Sequence, residues 1–218
     1  MRMMTLSAVG LLMACGGKTV IVEDHYYSLV LEAAADREVP ARSSSTEGLV
    51  ILTEVVLPDF LMLRNLTLQT SSNEIDIAKH HHWADPLDES VQKVLIWDLS
   101  AQLPALDITR SAVADADCTL AVEFDRLHAD SSGHVLASGR YTLTRNEHST
   151  RHEFDVSQPL RADGYTAAVT GIRQALAALG EAMRPQVQGC VVQALRAAGQ
   201  IQVPASRRAH AEPDASSR

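Results

Sequence analysis

The chain lacks two features that would point to a nucleic-acid-binding or a membrane-spanning protein. It has no excess of positive charge: 19 Lys and Arg residues against 27 Asp and Glu residues give a formal net charge of −8 at pH 7. Because phosphate binding needs a cationic surface, we expect no nucleic-acid partner. It also has no run of about 20 apolar residues, so we expect no helix that crosses a bilayer. The remaining composition, 46% hydrophobic and 21% charged over 218 residues, predicts one good-sized globular domain.

The common catalytic motifs are missing as well. No HExxH or CxxC spacing, no P-loop, no dinucleotide fingerprint and no G-x-S-x-G elbow occurs in the sequence. His128, Asp130, Ser131 and Ser132 lie close together, but a catalytic triad is assembled from separate elements, and a hairpin turn accounts for these residue types. We therefore predict no catalytic residues, no cofactor and no enzymatic activity.

Three consecutive histidines, His80, His81 and His82, are the feature that most resembles a metal site. On a strand, His80 and His82 point to one face and His81 points to the other. A zinc site needs about three or four protein ligands, and the other histidines are not phased with this cluster. We predict no metal here but a polar strand end that leads into a helix. A secreted metal-binding protein that uses His80 and His82 is the alternative.

The N-terminus has the pattern of an export signal. One basic residue is followed by a short apolar stretch and then by Cys15 and two glycines, which predicts a signal peptide over residues 1–14. The stretch LMAC resembles a bacterial lipobox. That resemblance implies lipidation of Cys15, a lipidated tether over residues 15–23 and, because Gly16 is not aspartate, transport to the outer membrane. The alternative is that Cys15 ends an apolar core segment.

Two further cysteines, Cys118 and Cys190, remain if Cys15 carries lipid. An exported protein occupies an oxidising compartment, where a disulfide between them is one interpretation. Cys118 alternates in phase with Leu120 and Val122, so it is expected to face a core. Two buried thiols that act as small hydrophobic residues fit this pattern equally well, and the sequence leaves both alternatives open.

Hydrophobic periodicity predicts a mixed α/β domain over residues 24–198. A first helix is expected to start at Asp85 and Pro86, where an acid that caps free amides precedes a proline suited to the first helical position. Upstream of it, Ile75 and Ile77 alternate with acidic residues, which predicts a strand with one buried face.

The second half of the domain is expected to begin with a three-stranded antiparallel meander and to continue with a second helix capped by Asp163. Pro185 should end or kink that helix, with a shorter helix around 186–197. Residues 199–218 are predicted to form a disordered tail.

One segment, HHHWADPLDESVQKVL at residues 80–95, resembles the hallmark of the ABC-type transport auxiliary lipoprotein family. The family's motif is a tryptophan, a small residue, an acid, a proline and a leucine before an amphipathic helix. The residues that match it in order are Trp83, Ala84, Asp85, Pro86 and Leu87. The lipobox, YYSL at 26–29 and VVLPDFLMLRNLTLQTSSNEIDIA at 55–78 also match, in the family's order.

The resemblance implies an α/β (α+β) fold, a mixed β-sheet flanked by two long amphipathic helices and similar to the N-terminal domain of the Tol system's β-propeller protein. It implies a non-enzymatic lipoprotein, anchored through its N-terminal lipid at the periplasmic face of the outer membrane of a Gram-negative bacterium. The implied partner is a subunit with a mammalian-cell-entry (MCE) domain, in a system that moves lipids or other hydrophobic molecules between membranes. A homo-oligomer is a further expectation. The motif residues considered for partner contact are Trp83, Asp85, Pro86 and Leu87. A cell-envelope scaffold unrelated to transport is a second alternative.

Overall fold

The computed structural model describes residues 22–35, 46–111 and 116–199. Cys15, the predicted signal peptide and nearly all of the predicted tail lie outside these ranges. The strands are β1 (His25–Tyr27), β2 (Gly48–Val56), β3 (Asn65–Ser71), β4 (Glu74–Trp83), β5 (Leu106–Thr109), β6 (Cys118–Asp130), β7 (His134–Arg145) and β8 (His148–Pro159). The helices are α1 (Leu29–Ala35), α2 (Leu87–Gln102) and α3 (Tyr165–Ala197), with a short 3₁₀ helix at Asp59–Leu61. The predicted mixed sheet flanked by helices is confirmed.

The sheet is built around β6. Along one edge, β7 pairs antiparallel with β6, and β8 pairs antiparallel with β7, so the predicted meander is confirmed. The opposite edge of β6 is shared end to end by β2 and β3, which both run parallel to it. Outside these, β4 is antiparallel to β3, β1 is parallel to β4, and β5 is parallel to β2. The first strand of the domain, β1, therefore lies at one end of the strand order.

All three helices pack on one face of this sheet. The long helix α3 lies against β6, β7 and β8, and it contacts α2, which covers β2 and β5. The short helix α1 packs against α2 and α3. The largest fully buried side chains include Leu52, Leu95, Leu120, Leu176 and Met183. Burying one stripe of each helix against one face of a sheet is the standard way for two layers to share a core.

The predicted apolar stripe of α2 is confirmed, but its predicted cap is wrong. Leu87, Val91 and Leu99, spaced at helical intervals, are buried. Pro86, rather than Asp85, occupies the N-cap position, and no side chain caps the helix there. At α3 the N-cap is likewise Gly164, which has a φ of 99°, so the prediction that Asp163 caps this helix is also wrong.

The third helix runs unbroken through Pro185, so the predictions that it ends there and that a separate short helix follows are wrong. A proline inside a helix removes one backbone hydrogen bond. Pro185 lies on the exposed side of α3, whereas Met183 and Val187 on either side of it are fully buried. Packing of these two side chains keeps the helix continuous in spite of the lost bond.

The predicted burial of Ile75 and Ile77 is also wrong. Ile75 is only half-buried, and Ile77 is 46% exposed. Alternation along a strand shows which residues share a face, but it does not show whether another layer covers that face. These two isoleucines lie on the face of the sheet opposite the helices.

Candidate functional site at the first strand

The first strand joins the N-terminal segment to the sheet. β1 runs parallel to the end of β4, with His25 beside His81 and Tyr27 beside Trp83. The backbone amide of Ala84 donates a hydrogen bond of 2.8 Å to the carbonyl of Tyr27. The histidine triplet and the tryptophan of the family motif are therefore the residues against which β1 is held.

Two of the three histidines contact a single carboxylate, that of Asp24, the residue directly before β1. Nδ1 of His80 and Nε2 of His82 lie 3.0 Å and 3.4 Å from Oδ1 of Asp24. Hydrogen bonds from His80, and then from His82, lower the pKa of Asp24. The two imidazoles share a face, as the strand period predicts. Here they tie the start of β1 to β4.

The third histidine, His81, faces the helices and packs among aromatic rings. Its Nδ1 is 2.9 Å from the hydroxyl of Tyr27, and its ring stacks on Tyr165 at 3.8 Å between centroids. His25 stacks on it from β1 at 5.0 Å. Burial, and then the neighbouring His25, lower the pKa of His81. A neutral His81 thus connects β1 to the first turn of α3.

The family motif divides into buried and accessible residues. Trp83 and Leu87 are 5% and 3% exposed and belong to the core. They have no free surface for a partner, so the structure assigns them a packing role. Asp85 and Pro86 are exposed, and the hydroxyl of Ser28 donates to Asp85 at 3.5 Å. Of the four motif residues considered for partner contact, only these two are accessible.

Cys118 and Cys190 are joined by a disulfide in the structure, with a Cα–Cα distance of 6.3 Å. Cys118 is the first residue of β6 and is 1% exposed. Cys190 lies in α3 after Pro185. The bridge attaches the last part of the long helix to the central strand.

The polar cluster at the end of β6 forms a hairpin turn, as predicted. The carboxylate of Asp130 accepts hydrogen bonds from the backbone amides of Ser132 and His134 and from the Ser132 hydroxyl. Partial burial raises the pKa of Asp130, but these hydrogen bonds together outweigh it, so the net pKa is lowered. His128 points elsewhere: it is 3% exposed, and its Nε2 is 3.1 Å from Oε1 of Gln69. These groups shape the hairpin and do not form a triad.

One buried ion pair was missed by the sequence reasoning. Arg173 of α3 makes two hydrogen bonds, of 2.7 and 2.9 Å, to the carboxylate of Asp98 in α2. Both side chains are nearly buried, at 13% and 11% exposure. Burial raises the pKa of Asp98, and Arg173 acts against that rise. The sequence signal that could have indicated this pair is a charged residue beside the apolar stripe of each helix, Asp98 in α2 and Arg173 in α3.

Within the ranges that the structure describes, no three or more His, Cys, Asp or Glu side chains are arranged to hold a metal ion. His80 and His82 flank the Asp24 carboxylate instead. Among the described helices, none combines the length and the apolar character needed to cross a membrane. The fold and this site thus define a class of protein. It is a small α+β domain whose first strand, which follows the N-terminal segment, is bound to the sheet by strand pairing and by the contacts of Asp24.

The chain belongs to the family of the ABC-type transport auxiliary lipoprotein component, whose model matches residues 27–184. Over 169 residues it is 26% identical to the intermembrane transport lipoprotein PqiC of Escherichia coli strain K12. The aligned region covers 77% of this chain and 86% of PqiC. The PqiC of Shigella flexneri matches at the same identity and coverage. The family suggested by the Trp83–Leu87 motif is confirmed.

Solved structures share the fold. A crystal structure of an uncharacterized protein superposes with a TM-score of 0.66 at 24% identity and covers 76% of this chain and 99% of its own. Protein XCC0632 from Xanthomonas campestris superposes with a TM-score of 0.54 at 14% identity, over 73% of this chain and 92% of its own.

Proposed function

We propose that this protein is a non-enzymatic lipoprotein, anchored at the periplasmic face of the outer membrane, that serves as the auxiliary component of an ABC- and MCE-type transport system. Such a system would move lipids or other hydrophobic molecules between membranes. The observation that carries the proposal is the family match, which spans β1 to the middle of α3. The relatives named for intermembrane transport are covered over most of their length.

The anchor in this proposal is Cys15. The lipobox places it seven positions before the first described residue, Val22. The contacts of Asp24 and His81 would transmit any pull on that segment directly to the sheet and to α3. Several acyl chains on one residue provide stable membrane attachment where a single chain would not.

The role of the domain in this proposal is docking. An MCE-domain subunit would reach it across the periplasm, and a homo-oligomer of the lipoprotein would match a multimeric transporter. Asp85 and Pro86 are the accessible residues of the family motif, and the contact with the partner is assigned to the surface around them. Trp83 and Leu87 support this surface from the core.

The anchor is tested by metabolic labelling with radioactive palmitate and by density-gradient fractionation of the cell envelope. The wild-type protein should incorporate palmitate and sediment with outer membranes, and a Cys15→Ala variant should do neither. Equal fractionation of both proteins without label would contradict the anchor. Metal analysis of the dialysed protein separates the proposal from the metal-binding alternative, because stoichiometric zinc would favour His80 and His82 as ligands.

A further inference from the structure

The exposed apolar side chains of the described residues are concentrated in one part of the chain. The large hydrophobic side chains with 40% to 73% exposure are Val22, Tyr26, Leu31, Val56, Met62, Leu63 and Ile77. All of them precede α2, although the described residues from α2 onward form more than half of the domain. Large apolar side chains that are exposed together, rather than singly, mark an interaction surface.

Strand register shows where Val56 points. Cys118 faces the helices, because its sulfur is bonded to Cys190 in α3. Side chains alternate along β6, so Glu123, five positions further, points to the opposite face. Val56 lies beside Glu123 in the parallel pair, and it therefore points away from the helices.

The same reasoning places Ile77. A side chain at Gly171 of α3 would collide with Val135, so Val135 faces the helices. Ala129 pairs with Val135, and Leu68 lies beside Ala129, so both share that side. Ile77 pairs with the residue that precedes Leu68 on β3. It therefore points to the helix-free face.

Tyr26 and the loop after β2 belong to this face too. The ring of Tyr26 packs 5.4 Å from the ring of His82, and His82 pairs with Asn65, two residues before the partner of Ile77. The 3₁₀ helix lies over the same face, since Phe60 touches His128 edge-on at 5.8 Å and His128 alternates with the helix-facing residues of β6.

Met62 and Leu63 follow that 3₁₀ helix directly and precede Asn65. Because neighbouring strands are about 5 Å apart, Tyr26 on β1 and Asn65 on β3 are separated by roughly 10 Å across the sheet. Three exposed apolar side chains thus point to the helix-free face, and two more lie in the loop that follows the 3₁₀ helix over it. We call them the apolar patch, and its members are Tyr26, Val56, Met62, Leu63 and Ile77.

The position of the patch indicates what covers it. Val22 follows Cys15 by seven positions, and even a fully extended chain of seven steps spans at most about 25 Å. A lipid on Cys15 would therefore keep the start of β1 within about this distance of the bilayer surface. The exposed charges nearby have both signs, with Arg64 and Lys79 against Asp24, Glu54 and Asp59. Apolar contact rather than charge is therefore the source of attraction.

We propose that the apolar patch rests on the surface of the lipid bilayer that holds the acyl chains of Cys15. This inference rests on the proposed function, because it takes the anchor as given. Tyrosine at the headgroup level with aliphatic side chains below it is the arrangement that bilayer interfaces favour. The outer surfaces of the helices and the exposed motif residues Asp85 and Pro86 then remain available to a protein partner.

The orientation is tested on the lipidated full-length protein in phosphatidylethanolamine–phosphatidylglycerol vesicles with brominated acyl chains, which quench nearby tryptophan. The test variant is Leu63→Trp. The matched control is Leu31→Trp, because Leu31 is 73% exposed on α1, which packs with the other helices. After subtraction of wild-type emission, bromine should quench the tryptophan at position 63 and leave the one at position 31 unquenched. Equal quenching at both positions would overturn the proposal.

Intrinsic affinity is measured by flotation of the unlipidated Cys15→Ala chain with an excess of the same vesicles. Replacing Met62 and Leu63 by Asp should lower its partition coefficient about tenfold, whereas Leu31→Asp should not change it. High salt should have little effect, since the attraction is apolar. Unchanged flotation of the Met62 and Leu63 variant would overturn the bilayer proposal. If the same variant, purified from cells, also loses a protein that co-purifies with the wild type, the patch is a protein interface. Absence of palmitate on the wild type would instead refute the anchor itself.

Discussion

Removal of the bridge between Cys118 and Cys190 should destabilise the domain by about 4 kcal/mol. The two residues are 72 positions apart in sequence, and the loop-closure relation gives roughly this free energy for a loop of that size. For a protein of about 200 residues it corresponds to a fall in Tm of about 10 °C. The bridge has this effect because it limits the unfolded chain and fastens the part of α3 after Pro185 to the central strand.

The perturbation is a Cys118→Ala/Cys190→Ala double variant in a Cys15→Ala parent, so that no third thiol can exchange with the bridge. Thermal and urea unfolding of parent and variant are compared with and without reductant. Reductant should lower the Tm of the parent towards that of the double variant and leave the variant unchanged.

A thiol count in denaturant controls the experiment: the parent should show no free thiol before reduction and two after it. Two free thiols without reductant, or a parent Tm that reductant does not change, would refute the reasoning. The second interpretation, two buried thiols that act as small hydrophobic residues, would then hold.

The remaining predictions concern three further contacts. Trp83→Ala should lower the free energy of unfolding by about 3–5 kcal/mol, because it leaves a cavity in the core. Asp85→Ala, at an exposed position, should lower it by less than about 0.5 kcal/mol. Equal losses in urea unfolding would contradict the assignment of Trp83 to the core and of Asp85 to the surface. Asp98→Ala should cost about 3–5 kcal/mol, since it leaves Arg173 charged and buried alone, whereas an Asp98→Leu/Arg173→Met pair should be much more stable than that single variant. Burial lowers the pKa of His128 below its usual 6.5, so the unfolded chain takes up this proton first as pH falls below about 6.5, and stability should fall between pH 7 and pH 5. His128→Gln should reduce that slope in urea unfolding, and an unchanged slope would exclude His128 as its source.

Local pattern was sufficient to predict much of this fold. The apolar stripe of α2 and the meander β6–β7–β8 follow from hydrophobic periods of 3.6 and 2 residues. The motif from Trp83 to Leu87 was sufficient to identify the family. The separation of His81 from His80 and His82 onto opposite faces also follows directly from strand geometry.

What sequence could not predict depends on contacts between distant segments. β1 pairs with β4 across more than 50 residues, and only this pairing brings Asp24 to His80 and His82. Burial on both sides of Pro185 overrides the helix-breaking tendency of proline. The exposure of Ile77 depends on which face of the sheet the helices cover, and alternation along one strand contains no information about that.

The most direct test of the central claim is purification of the tagged protein from native membranes in mild detergent, beside its Cys15→Ala variant, with identification of the co-purifying proteins. The account predicts that an MCE-domain transporter subunit is captured with the wild-type protein and that the variant is lost from the membrane fraction. Capture of no such subunit, together with a variant that fractionates like the wild type, would contradict both the transport role and the lipid anchor.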